Sequence, residues 1–235
     1  MRGRRALRAL GTVLAVAGAL MLVWAFVVWR WQDPFTALYT KWKQHELTTQ
    51  YTKRARTFVH PIATTSLAAE RASVAKAARR YRLTSDRGQA LGRIVIPRMG
   101  LNMVFVNGTD HESLKKGPGR DLRTFMPGEN RLVYIAGHRT TYLAPFSKID
   151  SMKPGDRITL ELPYATFVYS MTRHRIVVST DLSVLRTPQH ELLELQACHP
   201  RFFASHRYIV YARLLRVEPR GAAPYEATAA QASGR

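Results

Sequence analysis

Arg157-Ile158-Thr159-Leu160-Glu161-Leu162 alternates polar and apolar residues without a break. Successive side chains of a strand point to opposite faces, so Ile158, Leu160 and Leu162 belong to a core while their neighbours meet solvent. The same texture recurs on both sides. Short apolar runs at 92–96, 101–106, 131–137, 166–178, 192–197 and 208–217 are separated by Gly, Pro, Asn and Asp. Such punctuation ends strands and makes turns. Seven or eight short strands in one domain predict a barrel or a sandwich, with the β region starting near Leu91.

Upstream the pattern changes. Residues 9–29 carry no charge over a length of about 31 Å, which matches a bilayer core. Arg2, Arg4, Arg5 and Arg8 precede this run, and Trp24, Trp29 and Trp31 crowd its far end. That asymmetry predicts a single-pass anchor with a cytoplasmic N-terminus and an extracellular remainder. A cleaved signal peptide is the weaker reading, because the run is long and ends in bulky aromatics rather than small residues.

The organisation expected is a basic cytoplasmic tail (1–8), an anchor (9–29), a basic helical juxtamembrane linker (30–90), a β domain (91–217) and a disordered tail (218–235). Asp33 and Pro34 are placed to cap and open a helix running to about Lys53. Leu67, Val74 and Tyr81, seven apart, give residues 65–81 a thin apolar stripe that fits a packed helix or a tether. Past Val217 the chain is rich in Ala, Pro and Gly, a composition that predicts disorder.

The formal charge of +20 raises nucleic acid as a partner, and an external location excludes it. Basic residues between Lys41 and Arg93 instead fit an anionic lipid or envelope polymer, or simply a solvated linker.

The chain contains one cysteine, Cys198, so it forms no internal disulfide. It is either an inert core residue or a nucleophile, and a thiolate needs a nearby imidazolium, arginine or helix N-terminus. Arg207 opens the strand that follows, so a hairpin-like pair puts both at one sheet end. His138 emerges where the run 132–136, apolar on both faces, meets a loop. His199 adjoins Cys198 but points to the other strand face. No Cys/His group has zinc-ligand spacing and no Gly-rich phosphate loop is present.

Several ordered segments together resemble the sortases, membrane-anchored cysteine transpeptidases of Gram-positive envelopes, and most of all class E of actinobacteria. They are Gly92-Arg-Ile-Val-Ile-Pro97 with Gly100-Leu101, Val106-Asn-Gly-Thr-Asp110, and Leu114-Lys-Lys-Gly-Pro118. Ala136-Gly-His-Arg-Thr-Thr-Tyr-Leu-Ala-Pro-Phe146, Met152-Lys-Pro-Gly-Asp156 and Cys198-His-Pro-Arg201 with Arg207 complete the set.

The resemblance implies an all-β fold, a closed eight-stranded barrel with short helices, preceded by one transmembrane helix and a helical linker. It implies Cys198 as nucleophile, His138 as general acid/base and Arg207 as oxyanion or substrate-positioning group. Ala197, His199, Thr140 and Tyr142, beside these groups, become the candidate substrate contacts. The reaction implied is cleavage of a Leu-Pro/Ala-x-Thr-Gly-like signal between Thr and Gly and transfer to an amine. The partners implied are secreted proteins with a C-terminal sorting signal, a peptidoglycan-precursor amine and the plasma membrane, with no cofactor and no metal. Sortases commonly read Thr-Leu-x-Thr before the cysteine, whereas this chain reads Glu194-Leu-Gln-Ala197. The alternatives are a pilin-polymerising sortase, which often carries a second, C-terminal membrane helix, or a sortase-fold binding protein with little turnover.

Overall fold

In the computed structural model, which describes residues 2–31 and 34–227, three helices precede a closed sheet. The helices are α1 (Arg2–Trp31), α2 (Pro34–Thr57) and α3 (Leu67–Leu83). The strands are β1 (Ala90–Ile96), β2 (Leu101–Asn107), β3 (Gly119–Arg120), β4 (Leu132–Ala136), β5 (Arg157–Glu161), β6 (Ala165–Val178), β7 (Leu192–His199), β8 (His206–Pro219) and β9 (Tyr225–Glu226). A short helix, α4 (His111–Leu114), follows β2.

The sheet runs β6-β5-β1-β2-β3-β4-β7-β8, and β8 pairs back onto β6, which closes eight strands into a barrel. Closure removes both sheet edges, which resolves the barrel-or-sandwich choice. The barrel is mixed: β2–β3 and β4–β7 are parallel, the rest antiparallel. The parallel β4–β7 pair needs a long crossover, supplied by residues 137–191. As the alternation predicts, Ile158 and Leu160 are fully buried in the barrel core, beside Phe105, Ile135 and Leu195.

α1 contains an apolar span, Ala6–Val27, with mean hydropathy 2.3, long and apolar enough to cross a membrane. The capping role expected of Asp33 falls outside the described residues, as do residues 228–235.

Residues 34–83 are not a free linker. Gln44 of α2 bonds both ways with Val104, donating to its carbonyl and accepting from its N–H, each at 2.8 Å, and donates to Lys116 O. Tyr51 donates to Glu161 O, and Arg54 to Ala90 O and Ser85. α3 starts at Ser66, whose hydroxyl accepts from Ala69 N, a cap contributing about 1 kcal/mol. Burial of Val74 and Tyr81 contributes more, about 1.5–3 kcal/mol each, so packing rather than capping holds α3 to the barrel. Tyr81 also donates to Leu91 O, and Arg82 pairs with Glu129 through two bonds. Glu129 precedes β4 and His138 follows it, so the Arg82 pair lies at the end of that strand away from His138. Part of the basic charge therefore fastens helices.

The disorder expected from 218 onward is corrected by β8, which runs to Pro219, and by Tyr225–Glu226, which pair with Arg216 and Val217. Tyr225 lies under the Arg71 guanidinium and packs on the core, an aromatic anchor that composition alone does not reveal.

Candidate active site

The strand periodicity of β7 divides its side chains between two environments. Leu193, Leu195 and Ala197 face the barrel core and are fully buried, so Glu194, Gln196 and Cys198 face outward. Register then builds a grid on the outer face. Arg173, Tyr211, Glu194 and Tyr134 form one row, and Arg175, Ile209, Gln196 and Ala136 the next. The last row has Val177 opposite Arg207 and Arg207 opposite Cys198. Rows are about 6.6 Å apart, two residues of strand rise.

His138 completes that last row. Beyond Ala136, opposite Gln196, the ladder continues through Gly137 N, which donates to Gln196 O at 3.0 Å. The next residue is thereby brought beside Cys198. Gly137 is required by close approach: a Cβ there would lie 2.8 Å from the ring of buried Phe146. His138, Cys198 and Arg207 line one cleft of about 310 Å³, with Thr109, Asp121 and Tyr134 among its other walls and Leu182 and Val184 on its rim.

His138 is half-buried. Burial first, and then the nearby charge of His111, holds its pKa below the usual imidazole value. Its Nε2 is buried without a hydrogen-bond partner. Tyr142 packs on the ring at 5.1 Å between centroids, from a loop in which Tyr142, Leu143 and Ala144 all have positive φ. That loop is pinned from outside the barrel, since Tyr142 N donates to Thr36 Oγ1 of α2 at 3.2 Å. Neighbouring Thr40, fully buried, donates to Lys115 O. α2 thus reaches the histidine loop with its first turn.

Arg207 is fixed at the rim, its Nη1 donating to Ala204 O at 2.7 Å and His206 O at 3.0 Å. A cation can orient a carbonyl or stabilise an oxyanion from such a position.

None of the four expected substrate contacts lines the cleft, and they fall into two groups. Thr140 and Tyr142 lie on the loop that follows His138. The side chains of Ala197 and His199 do not line the cleft: Ala197 is in the core, and His199 takes a bond from Arg139. The alternation of β7 turns both away from Cys198, whereas Gln196, which the same rule finds, does line the cleft and accepts from Tyr134 Oη at 2.9 Å.

Arg139 is a further residue the sequence reading missed. Only 3% exposed, it donates to Cys198 O, bonds His199 Nδ1 at 2.9 Å and pairs with Asp150 at 2.6 Å. It holds the end of β7 from the core side, beneath Cys198. Among the described residues no group of His, Cys, Asp or Glu is arranged to hold a metal ion.

Comparison with known proteins agrees with this architecture. A family model for the sortase domain matches residues 94–215, just over half of the chain. Sortase D of Bacillus subtilis is 35% identical over 133 residues, covering 54% of this chain and 65% of that protein. Sortase SrtE1 of Streptomyces coelicolor is 29% identical over 149 residues, covering 57% of this chain and 42% of that protein. The structure of sortase E from Streptomyces avermitilis aligns with a TM-score of 0.52 and 32% identity, covering 57% of this chain and 93% of that one. The chain therefore spans less than two thirds of these curated relatives, which carry both D and E designations. With a matching domain model and a closed barrel of the same topology class, this chain belongs to the sortase family.

Proposed function

We propose that this protein is a cysteine transpeptidase, held by α1 in the plasma membrane with its barrel outside. In this reading it cleaves Leu-Pro/Ala-x-Thr-Gly-like signals between Thr and Gly. The observation that carries the proposal is the row His138, Cys198, Arg207 on one face of one cleft.

Cys198 passes its thiol proton to His138, which burial keeps toward the neutral, accepting form. The sulfur attacks the Thr carbonyl carbon, and Arg207 stabilises the oxygen as it becomes negative. Collapse breaks the C–N bond while His138 returns its proton to the leaving glycine amine. The thioester is then attacked by an amine of a peptidoglycan precursor. His138 removes that amine's proton and delivers it to the departing sulfur. None of these steps needs a metal or cofactor.

The test is mass spectrometry of the full chain in detergent with Leu-Ala-x-Thr-Gly and Leu-Pro-x-Thr-Gly peptides, beside Cys198→Ala. The expected result is an adduct ending at Thr that Cys198→Ala abolishes. Folded protein that forms no adduct with either peptide would remove the transpeptidase reading.

A further inference from the structure

The first two turns of α2 present Leu38, Tyr39 and Trp42 to solvent with exposures of 71%, 37% and 60%. The opposite side of this helix is fixed: Thr40 is fully buried, and Gln44 makes three bonds to β2 and the segment after α4. The exposed trio therefore cannot turn inward to be covered by the barrel. Its chemistry is amphipathic. Tyr39 and Trp42 pack with centroids 6.3 Å apart, and Lys43 lies 4.2 Å over the Trp42 ring while pairing with Glu46. Lys41 is exposed beside them. Indole and phenol rings with lysines that can extend outward are the residues that settle at a membrane–water boundary.

Chain connectivity says which surface is near. From Trp31, the last residue of α1, to Pro34, the first of α2, is three Cα steps, at most about 11 Å. The apolar span of α1 ends at Val27, so the following helical turn already occupies the headgroup region.

We propose that Leu38, Tyr39 and Trp42 are embedded in the headgroup layer of an anionic bilayer, which sets the mouth of the catalytic cleft at the membrane surface; this rests on the reading of α1 as an anchor. The second half follows from the bond between Thr36, on the barrel side of α2, and the Tyr142 loop, which packs on His138, so that loop stands one helix diameter, roughly 10 Å, from the embedded face. An enzyme so placed meets amine acceptors whose reactive group projects from a lipid headgroup.

Depth measurement tests this on the full chain in phosphatidylcholine/phosphatidylglycerol bilayers. Because Cys198 is the sole cysteine, a Cys198→Ala background accepts single nitroxide labels at Val16→Cys, Leu38→Cys, Trp42→Cys and Thr49→Cys. Thr49 is exposed on the same side of α2, two to three turns further along. Labels at 38 and 42 should collide with a water-soluble nickel chelate several-fold less than the label at 49, with the label at 16 in the hydrocarbon. Equal collision at 38, 42 and 49, with 16 still in the hydrocarbon, would overturn the docking face alone. A label at 16 in water would overturn the anchor and the docking face together.

Discussion

Glu194→Gln gives the most quantitative test of the outer face. Glu194 shares a row with Tyr134 and Tyr211, is 3% exposed, and its Oε2 has no hydrogen-bond partner. Burial pushes its pKa up to about 8 from 4.5, and Arg173 and Arg175 offset this only in part. The folded chain thus holds the proton more tightly than the unfolded one. Stability is complete below the unfolded value and declines as pH rises towards about 8, beyond which the loss is constant. At pH 7 the folded group is still mostly protonated while the unfolded one is ionised. The cost is about 2.5 pH units at ~1.36 kcal/mol each, or roughly 3 kcal/mol. Glutamine has the same shape and no charge to desolvate. Its benefit over wild type should therefore grow by about 3 kcal/mol between roughly pH 4 and pH 7. The assay is urea denaturation of the detergent-solubilised chain across that range, followed by near-ultraviolet circular dichroism of the barrel tyrosines, since the four tryptophans all lie in α1 and α2. Glu191, fully enclosed and raised to about 7, titrates in both proteins and cancels in the difference. A difference that is flat with pH, or that grows toward acid, would refute the argument.

Gly137→Ala should cost about 1–3 kcal/mol, because the added carbon meets Phe146, and should lower the rate of acyl-enzyme formation by displacing His138; unchanged rate and stability would exclude the close approach. His111→Gln removes a charge that helps hold His138 low, so the His138 pKa should rise and the acid limb of the activity profile should move to higher pH. Histidine NMR reads this directly, and an unmoved resonance counts against the coupling. Arg139→Met strips a donor from Cys198 O and His199 and should cost about 1–3 kcal/mol. Turnover should fall more than peptide affinity, with Arg139→Lys restoring part of it.

Much of the fold was legible because strand periodicity leaves a strong mark. The runs at 92–96, 101–106 and 157–162 correspond to β1, β2 and β5 to within a few residues. β3 and β9 were not legible, since two residues carry no period and form only where a partner strand is presented. The pairing of Cys198 with Arg207 followed from a short connection between strands, whereas the approach of His138 depends on a parallel β4–β7 pair separated by two other strands in sequence. Nothing local encodes that contact. Arg139 was invisible for a related reason. Its partners Asp150, Cys198 and His199 come from segments that only the closed barrel brings to one point.

The alternation of β7 also bears on the residue by which this chain departs from its family. A threonine commonly precedes the sortase cysteine, and Ala197 stands there. Its side chain is fully buried in the barrel core, on the face away from the cleft. Around it Leu193, Leu195, Tyr208 and Val210 belong to the same apolar cluster. Ala197→Thr would add a methyl group and a hydroxyl to a packed interior. Overpacking costs about 1–3 kcal/mol, and a buried hydroxyl without a partner adds about 1–3 kcal/mol more. The substitution should therefore lower the urea midpoint and leave the rate of thioester formation no faster than wild type. A faster rate would mean that a hydroxyl at 197 reaches the reacting carbonyl, and that the end of β7 opens toward the cleft when peptide is bound.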